Sequence, residues 1–224
     1  MRESKLHTSW TSPDEDYESA VIEFATACLT TPEVGAALDA FTELTFPSVR
    51  ANILGQKLIQ LTMPGVPDLY QGCEVVDLSL VDPDNRRPID YYRRSGVLTA
   101  LDMNPPADLD AEKLLVTSRA LLLRRDHPEA FRGPDADYRS VSLNTGHAVV
   151  FERGYRDSET PVAITVATRV QSGLNEEGWG DAELVLPSLR FRDVLTGREY
   201  PGGATPLADI LQDLPVALLV HQVD

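Results

Sequence analysis

The densest cluster of chemically active side chains lies in residues 62–90, which read TMPGVPDLYQGCEVVDLSLVDPDNRRPID. A short apolar segment there is followed by a glutamine, a glutamate, four aspartates, an asparagine and two adjacent arginines. Such side chains hydrogen-bond the vicinal hydroxyls of a sugar, and Tyr70 offers a ring that can stack on its apolar face. The two arginines, next to Asp82, Asp84 and Asp90, could equally form a structural knot of ion pairs that fixes the loop. The residue types alone leave both interpretations open.

Most other catalytic patterns are missing from the sequence. It contains no G-x-S-x-G, H-E-x-x-H or C-x-x-C motif and no phosphate-binding glycine loop. The four histidines are scattered, and none has a second ligand at helical spacing, so we expect no metal site and no cofactor. The segment DPDNRRPID resembles a calcium loop only weakly, because it lacks the glycine and the distal glutamate of such loops.

The composition is typical of a globular protein, with 224 residues, 42% of them hydrophobic, and a net charge of −15. Because nucleic acid and anionic membrane surfaces would both repel this charge, we expect neither as a partner. Cys28 and Cys73 are too few for a disulfide framework, and no apolar run reaches the ~18 residues of a membrane span. We therefore expect a soluble cytoplasmic protein with reduced thiols.

Helical periodicity extends to a Gly-Pro break after residue 132, so we divide the chain into residues 1–132 and 133–224. The first helix is predicted with Ser12 as its N-cap and Pro13 at its first position. The other predicted helices follow prolines or capping residues and cover residues 32–41, 49–61, 89–101 and 109–126.

The segment VPDLY, residues 66–70, is predicted as a single buried strand that runs into a polar loop. A lone strand cannot satisfy its own backbone hydrogen-bonding groups. It must pair with the C-terminal strands or find partners outside this sequence, so we expect the sequence to be part of a longer protein.

Beyond residue 133 the hydrophobic period changes to two. Strand-like runs, rich in β-branched and aromatic residues, are YRSVSL, HAVVFERGY, PVAITVATR, AELVLP, LRFRDVL and PVALLVHQ. Turns are predicted between them, including one at Ser172 and Gly173. The spacing predicts an antiparallel β-sandwich of about six to eight strands, and hence an α+β chain overall.

The segment PGVPDLYQGCE resembles the eighth-strand segment of the α-amylase superfamily of glycoside hydrolases, which reads P-G-[VI]-P-x-[IVL]-Y-x-G-x-E. The continuation VVDLSLVDPDNRRPIDYYRR and the opening RESKLHTSWTSPDEDYE are more specific. They resemble the maltooligosyl trehalose synthase family within that superfamily. The resemblance is close over residues 1–102, looser to residue 131, and only architectural beyond.

This resemblance implies a (β/α)8 barrel followed by a C-terminal β-sandwich. Residues 1–132 would be the mostly helical C-terminal part of the barrel, with its eighth strand at residues 66–70, and residues 133–224 would be the sandwich. Since a complete barrel needs about 250 residues and eight strands, the resemblance implies a C-terminal fragment.

The resemblance also implies an activity. The family consists of (1→4)-α-D-glucan 1-α-D-glucosylmutases, which convert the reducing-end α-1,4 linkage of a maltooligosaccharide to an α,α-1,1 linkage in trehalose biosynthesis. Family members use a nucleophilic Asp, an acid/base Glu and a stabilising Asp at the ends of the fourth, fifth and seventh strands. No stretch of this sequence matches those motifs. We therefore assign no catalytic residue and expect the chain to be inactive alone.

The loop after the eighth strand lies at the mouth of such a barrel, where substrates bind. The resemblance therefore implies a maltooligosaccharide-binding wall made of Tyr70, Gln71, Glu74, Asp84, Asn85, Arg86 and Arg87. Arg87 and Asp84 come first because their geometry suits sugar hydroxyls or the orientation of a neighbouring carboxylate. A purely structural role stays open for Glu74 and Arg87. Lys5, His7 and Trp10 lie in the second matching segment, where Trp10 would stack on a sugar or pack.

Two other functions stay open. The chain could be part of another glycosidase or transglycosidase of the superfamily. It could instead be a non-catalytic glucan-binding module, whose aromatic platform would be Trp179, Tyr155 or Tyr200.

Helices that cover a barrel would expose apolar faces in this chain. The residues concerned are Val21, Phe24, Ile53 and Leu58. We expect rearranged packing or self-association to bury them.

Overall fold

A computed structural model describes residues 1–80 and 82–222 of the chain. The described residues form an α+β structure, as the sequence predicts. The helices are α1 (Glu15–Thr30), α2 (Pro32–Thr62), α3 (Tyr91–Leu101), α4 (Leu109–Asp126), α5 (Pro128–Phe131), α6 (Gln171–Glu177) and α7 (Leu207–Ile210), preceded by a 3-10 turn at Arg2–Ser4. The strands are β1 (Ala136–Val141), β2 (Ala148–Tyr155), β3 (Pro161–Thr168), β4 (Glu183–Leu186), β5 (Phe191–Asp193), β6 (Glu199–Tyr200), β7 (Gly203–Pro206) and β8 (Val216–His221).

The chain divides into two compact units, one of residues Met1–Phe46 and one that begins at Pro47. The boundary falls within α2, which is a single continuous helix. The prediction of two helices separated at Pro47 was therefore wrong. Pro47 and Glu43 are both exposed, so water can satisfy the carbonyl group of Glu43 that the proline leaves without its helical donor.

The N-cap of α1 also differs from the prediction. Asp14, not Ser12, accepts the N–H of Tyr17 at 2.9 Å. The carbonyl of Ser12 instead accepts the N–H of Ser9, which closes a turn before the helix. In contrast, α4 has the predicted bounds, and α3 begins two residues later than predicted, after its N-cap Asp90.

Six antiparallel strands form the main sheet in the order β1-β2-β3-β8-β5-β6, and β4 and β7 form a separate pair. Alternate residues of the central strands face opposite sides. Ala163 and Leu218 pack with side chains of α2 and α4, whereas Ile164 and Leu219 pack with β4 and α7. Helices α2 and α4 therefore cover one face of the six-stranded sheet, and the two-stranded sheet and α7 cover the other.

Two details of the β region depart from the prediction. Ser172 and Gly173 lie in helix α6 rather than in a turn. A Cβ at Gly173 would lie 3.0 Å from Cε1 of His147, so the glycine lets α6 approach the start of β2. The sequence GATP was not among the predicted strands, but it forms strand β7, which pairs with β4.

Residues 66–70 form neither strand nor helix, and Val66 is 95% exposed. The prediction of a buried strand here was therefore wrong for this chain. The physical reason is that no described residue forms a strand pairing with this segment. Without a neighbouring strand its backbone groups are left to solvent.

The predicted apolar helix faces have different fates. Leu58 is fully buried beneath the sheet, and Ile53 packs partly against the same core. Phe24 on α1 is 72% exposed, so its burial by self-association stays a prediction. Among the described residues, no single helix is long and apolar enough to cross a membrane, although α1 and α2 pass that test together as a pair bent by 65°.

Candidate functional site

Two side chains of α4 hold the polar loop, which we define as residues 70–80 and 82–90. The ammonium group of Lys113 donates a hydrogen bond of 2.7 Å to the carbonyl oxygen of Val75. Asp110, one turn earlier, accepts the N–H of Val76 at 2.9 Å. Consecutive residues of the loop are thus fixed to one face of one helix. Burial lowers the pKa of Lys113, and the nearby charge of Lys57 lowers it further.

Both carboxylate oxygens of Glu74 are used within the protein. One accepts the N–H of Gly72 at 2.9 Å, and the other forms an ion pair with Arg94 of α3. Partial burial opposes its ionisation, but backbone N–H groups and the Arg94 guanidinium hold the pKa of Glu74 below its usual value. Gly72 has a φ of +97° and approaches Ile89, whose Cδ1 would lie 3.0 Å from a Cβ at that position. Glu74 therefore closes the first turn of the loop.

The second half of the polar loop carries two exposed ion pairs. Arg87 donates to Asp84, which also accepts the N–H of Leu80 at 3.0 Å. Arg86 pairs with Asp82 at 2.6 Å. The hydrogen bond from Arg87, together with the N–H of Leu80, lowers the pKa of Asp84. The arginine–aspartate knot that the residue types suggested is therefore present.

The remaining predicted wall residues are not joined to these pairs. Tyr70 and Gln71 are exposed, and Asn85 is half-buried, with a buried Oδ1 for which the described residues offer no hydrogen-bond donor. Among the described residues, no side-chain hydrogen bond links Tyr70 or Gln71 to Asp84 or Arg87. The loop thus presents an aromatic ring, an amide and two ion pairs as separate exposed groups, which are groups that can bind sugar hydroxyls.

Sequence reasoning missed the residues that support the loop, namely Arg94, Asp110 and Lys113, and it also missed the buried Lys57 of α2. Lys57 is buried, donates 2.8 Å to Oε1 of Gln60, and has its pKa lowered by burial. The available signal was the presence of charged residues on the otherwise apolar faces of α2 and α4. Such residues are rarely buried without a partner.

An apolar cavity of about 330 Å³ lies between the polar loop, α3 and α4. Its walls include Val75, Ile89, Val97, Leu101 and Leu114. Arg94, at its edge, is already paired with Glu74. None of the described residues that line the cavity has an aromatic ring on which a sugar could stack.

The second matching segment lies in the unit of residues 1–46. Arg2 donates to both carboxylate oxygens of Glu18, at 2.7 and 2.6 Å, and the Thr8 hydroxyl donates to one of them. These hydrogen bonds, led by that of Arg2, lower the pKa of Glu18 to about 2. Trp10 is exposed, and its indole N–H donates 2.7 Å to Glu3. Its ring is therefore held, with the guanidinium carbon of Arg2 5.5 Å from the ring centroid, and is still 66% exposed.

The three aromatic rings that could form the sugar-binding platform of a glucan-binding module are buried or half-buried. Tyr200 is buried, and Tyr155 and Trp179 are half-buried and packed against the hydrophobic cores. Among the described residues, no group of three or more His, Cys, Asp or Glu side chains is arranged to hold a metal ion.

Comparison with known proteins gives a consistent result along the whole chain. No family model matches it. A putative maltooligosyl trehalose synthase of Mycobacterium tuberculosis is 39% identical over 224 residues, which are 99% of this chain and 27% of that protein. The structure of maltooligosyltrehalose synthase from Arthrobacter ramosus is 40% identical with a TM-score of 0.85, over 99% of this chain and 29% of that one.

A further structure of a maltooligosyl trehalose synthase is 22% identical, with a TM-score of 0.68 over 99% of this chain, and supports the fold alone. The resemblance that the sequence motifs indicated is thereby confirmed, and it extends through the β region. This chain spans little more than a quarter of the length of the relatives that it matches.

Proposed function

We propose that this chain is part of a maltooligosyl trehalose synthase and supplies one wall of its substrate-binding site. The observation that carries the proposal is the identity of 39–40% to proteins of that name over 99% of the chain. The exposed groups of the polar loop support it because they suit the hydroxyl groups and apolar faces of glucose units.

The proposed reaction rearranges a maltooligosaccharide without net hydrolysis. A carboxylate attacks the anomeric carbon of the penultimate glucose, and a carboxylic acid protonates the leaving O4 of the reducing-end glucose. That glucose then turns within the site, and its anomeric hydroxyl attacks the anomeric carbon of the glycosyl–enzyme. The bond to the first carboxylate breaks, and the second carboxylate takes the proton of the hydroxyl. The product carries an α,α-1,1 linkage and no reducing end.

The carboxylates of the polar loop are poor candidates for the proton-transfer steps. The pKa values of Glu74 and Asp84 are both lowered by hydrogen bonds, so each stays ionised and cannot donate a proton near neutral pH. Their oxygens are also already bound by Arg94 and Arg87. We therefore propose that the chain orients substrate and that it is inactive alone.

The same proposal assigns the two parts of the chain to two parts of the family's fold. Residues 1–132 would be the C-terminal part of a (β/α)8 barrel, with residues 66–70 as its eighth strand once neighbouring strands supply hydrogen bonds. Residues 133–224 would be the β-sandwich.

A cytoplasmic location also stays a proposal, and fractionation of cells that express the protein tests it.

The alternative of a free glucan-binding module is less well supported, because two of its three candidate aromatic rings pack into cores and the third is buried. If the chain belonged to another branch of the α-amylase superfamily, an enzyme that carries the same loop would form a different product.

A chimera tests the proposal. This chain replaces the matching portion of the Arthrobacter ramosus enzyme, and kcat and KM are measured with maltopentaose. We expect trehalosyl product, and a loss of about tenfold in kcat/KM for Arg87→Ala, equivalent to one charge-assisted hydrogen bond. Arg190→Ala is the matched control, since both arginine side chains are 67% exposed and ion-paired. A folded chimera that only hydrolyses maltopentaose, or equal effects of the two substitutions, would contradict the proposal.

A further inference from the structure

Four arginines lie around Phe131, where α4, α5 and β2 meet. Arg124 and Arg125 are in the last turn of α4. Arg132 follows α5, and Arg153 lies on β2. The guanidinium carbons of Arg124 and Arg153 are 5.0 and 5.4 Å from the centroid of the Phe131 ring. We call the four arginines the arginine cluster, and all of them belong to the second of the two compact units.

Most of the positive charge of the arginine cluster is not neutralised by a carboxylate. In the part of the chain that the structure describes, Arg124, Arg132 and Arg153 form no salt bridge, whereas Arg125 pairs with Asp126 at 2.8 Å. Both partners of that pair are more than half exposed, so the pair is weak. The chain has 35 acidic and 20 basic residues, so carboxylates are in excess. A group of arginines without carboxylate partners is therefore unusual in this protein.

Backbone carbonyls fix two members of the cluster. Arg124 donates hydrogen bonds of 3.0 Å to the carbonyl of Leu61, in the last turn of α2, and to that of Gly65. Arg153 donates two hydrogen bonds to the carbonyl of Ala130, at 3.3 and 3.0 Å. Arginines often bind the unpaired carbonyls at helix C-termini, which is a sufficient structural reason for these two positions. It is not a reason for the other two arginines.

The cluster holds like charges close together. Burial lowers the pKa of Arg124, and the nearby charge of Arg132 lowers it further. Burial also lowers the pKa of Arg153, as does the charge of Arg124, against the opposing charge of Asp137. The Nη1 of Arg153 is buried, and no described residue accepts a hydrogen bond from it. An anion bound beside the cluster would offset this repulsion.

A pocket of about 400 Å³ lies beside the cluster. It is lined by three arginines and three apolar residues, namely Arg124, Arg125, Arg132, Val66, Pro128 and Phe131. Its lining contains no carboxylate from the described residues, and Glu129 and Asp135 line a neighbouring part of the surface instead. The side chain of Arg132 is exposed and makes no hydrogen bond to a described residue. Its donors are therefore available to a ligand.

The residue types indicate which anion fits this pocket. A guanidinium group is a planar fork that binds phosphate oxygens in pairs. Three forks suit a phosphate dianion better than a singly charged carboxylate, which one fork satisfies. Small-molecule sites occupy roughly 300–1,000 Å³, and Pro128 and Phe131 give this pocket apolar surface, so it has room for an organic group. The net charge of −15 disfavours a nucleic acid as the source of the phosphate.

We propose that the pocket beside the arginine cluster binds a small organic phosphate, namely a phosphate monoester with an apolar or aromatic group. Arg124, Arg125 and Arg132 bind the phosphate oxygens, and the organic group packs on Pro128 and Phe131. The pocket shares no residue with the polar loop, so it is a second site. The inference goes beyond the proposed function, because no step of the proposed reaction involves a phosphate.

Isothermal titration calorimetry of the purified 224-residue chain with phenyl phosphate, at constant ionic strength, tests the inference. We expect one-to-one binding that is about tenfold tighter than that of inorganic phosphate or benzoate. Arg132→Gln should weaken this binding about tenfold, equivalent to one charge-assisted hydrogen bond, and should fold because the side chain is exposed. Arg169→Gln, at another exposed arginine just beyond β3, is the matched control and should bind like the wild type.

The other outcomes would contradict the inference. Equal weakening in the two variants would show only a general attraction of anions, and no measurable binding at millimolar phenyl phosphate would overturn the site itself. Inorganic phosphate or benzoate that binds as tightly as phenyl phosphate would overturn the assignment to an organic phosphate.

A lipid is a second source of a phosphate monoester, and vesicles that contain phosphatidic acid test it. We expect the chain not to co-sediment with them, because its net charge of −15 opposes approach to an anionic surface. Co-sedimentation that Arg132→Gln abolishes would overturn the assignment to a small molecule. The proposed function is tested separately, by the trehalosyl product of the chimera.

Discussion

The ammonium nitrogen of Lys113 lies 2.7 Å from the carbonyl oxygen of Val75, and this hydrogen bond ties the polar loop to α4. Asp110 of the same helix accepts the N–H of the next residue, Val76. Two side chains one helical turn apart therefore supply the donor for the Val75 carbonyl and the acceptor for the Val76 N–H. These two hydrogen bonds fix the position of the loop along the helix, and therefore also the position of the exposed groups that follow in the sequence.

Removal of the Lys113 ammonium group should loosen the loop without unfolding the chain. In Lys113→Met the Val75 carbonyl loses a charged donor, which is worth about 1.5–3 kcal/mol when partly buried. We expect hydrogen exchange at the Val76 amide to rise about tenfold or more. Arg119→Met, on the same helix but paired with Asp102, serves as the control. Equal exchange at Val76 in both variants would contradict this role for Lys113.

The hydroxyl of Thr165 on β3 donates 2.9 Å to the hydroxyl of Thr62, which itself donates to the carbonyl of Leu58. Both side chains are fully buried. Thr62→Val leaves the Thr165 hydroxyl without its acceptor and should lower the free energy of unfolding by about 1–3 kcal/mol, whereas Thr165→Val should cost less. Urea denaturation of both single variants and the double variant measures this. The double variant should lose less than the sum, and strict additivity would show that the two hydroxyls do not interact.

Asp193 is a fully buried carboxylate at the end of β5. One oxygen accepts the N–H groups of Leu195 and Leu218, and the other accepts the hydroxyl of Thr196. Asp193→Ala leaves these donors unpaired and should destabilise the fold by several kcal/mol, whereas Asp193→Asn keeps an acceptor for the backbone donors and should cost much less. Denaturant unfolding of the two variants compares them.

The same residue predicts a dependence on pH. Burial raises the pKa of Asp193 above its usual value, although its hydrogen bonds oppose that effect. A raised pKa in the folded state means that its contribution to stability is full below about pH 4 and is lost as the pH rises through the folded value. The stability of Asp193→Asn relative to wild type should therefore improve between about pH 4 and pH 7. A decline over that range would show that the hydrogen bonds dominate.

Two glycine substitutions should have opposite effects. A Cβ at Gly202 would collide with the Pro187 carbonyl and lie 2.5 Å from Cα of Ser188, so Gly202→Ala should lower the melting temperature. Gly96 lies within α3 with nothing within 4 Å of its Cβ position, so Gly96→Ala should stabilise by about 0.5–1 kcal/mol. Calorimetry of the two variants checks the signs, and a neutral Gly202→Ala would show that residues 187–189 can move away.

Local patterns predicted those parts of the fold that local interactions determine. Helix α4 was predicted with its observed bounds because a proline break precedes it, and the structure shows that Asp108 caps it. The ion pair between Arg87 and Asp84, three residues apart, was also anticipated. Pro47 misled the prediction because an exposed proline can continue a helix that a break rule would end.

Contacts between distant residues could not be predicted in the same way. The loop is held by Arg94, Asp110 and Lys113, which are separated by 20, 34 and 38 residues from the groups that they bind. The strand expected at residues 66–70 failed for a related reason. Its sequence has strand-like residues, but a strand also needs a neighbour, and none of the described residues provides one.

The most direct test of the central claim, that this chain is one wall of a site rather than the site, is the loss of reducing ends from maltopentaose. Formation of an α,α-1,1 linkage removes the reducing end, so reducing-end content and trehalosyl product report the same event. We predict no loss with the purified chain alone, at the level of a control without protein, and loss with the chimera. Trehalosyl product formed by the chain alone would contradict the claim, because it would require the catalytic carboxylates to lie within these 224 residues.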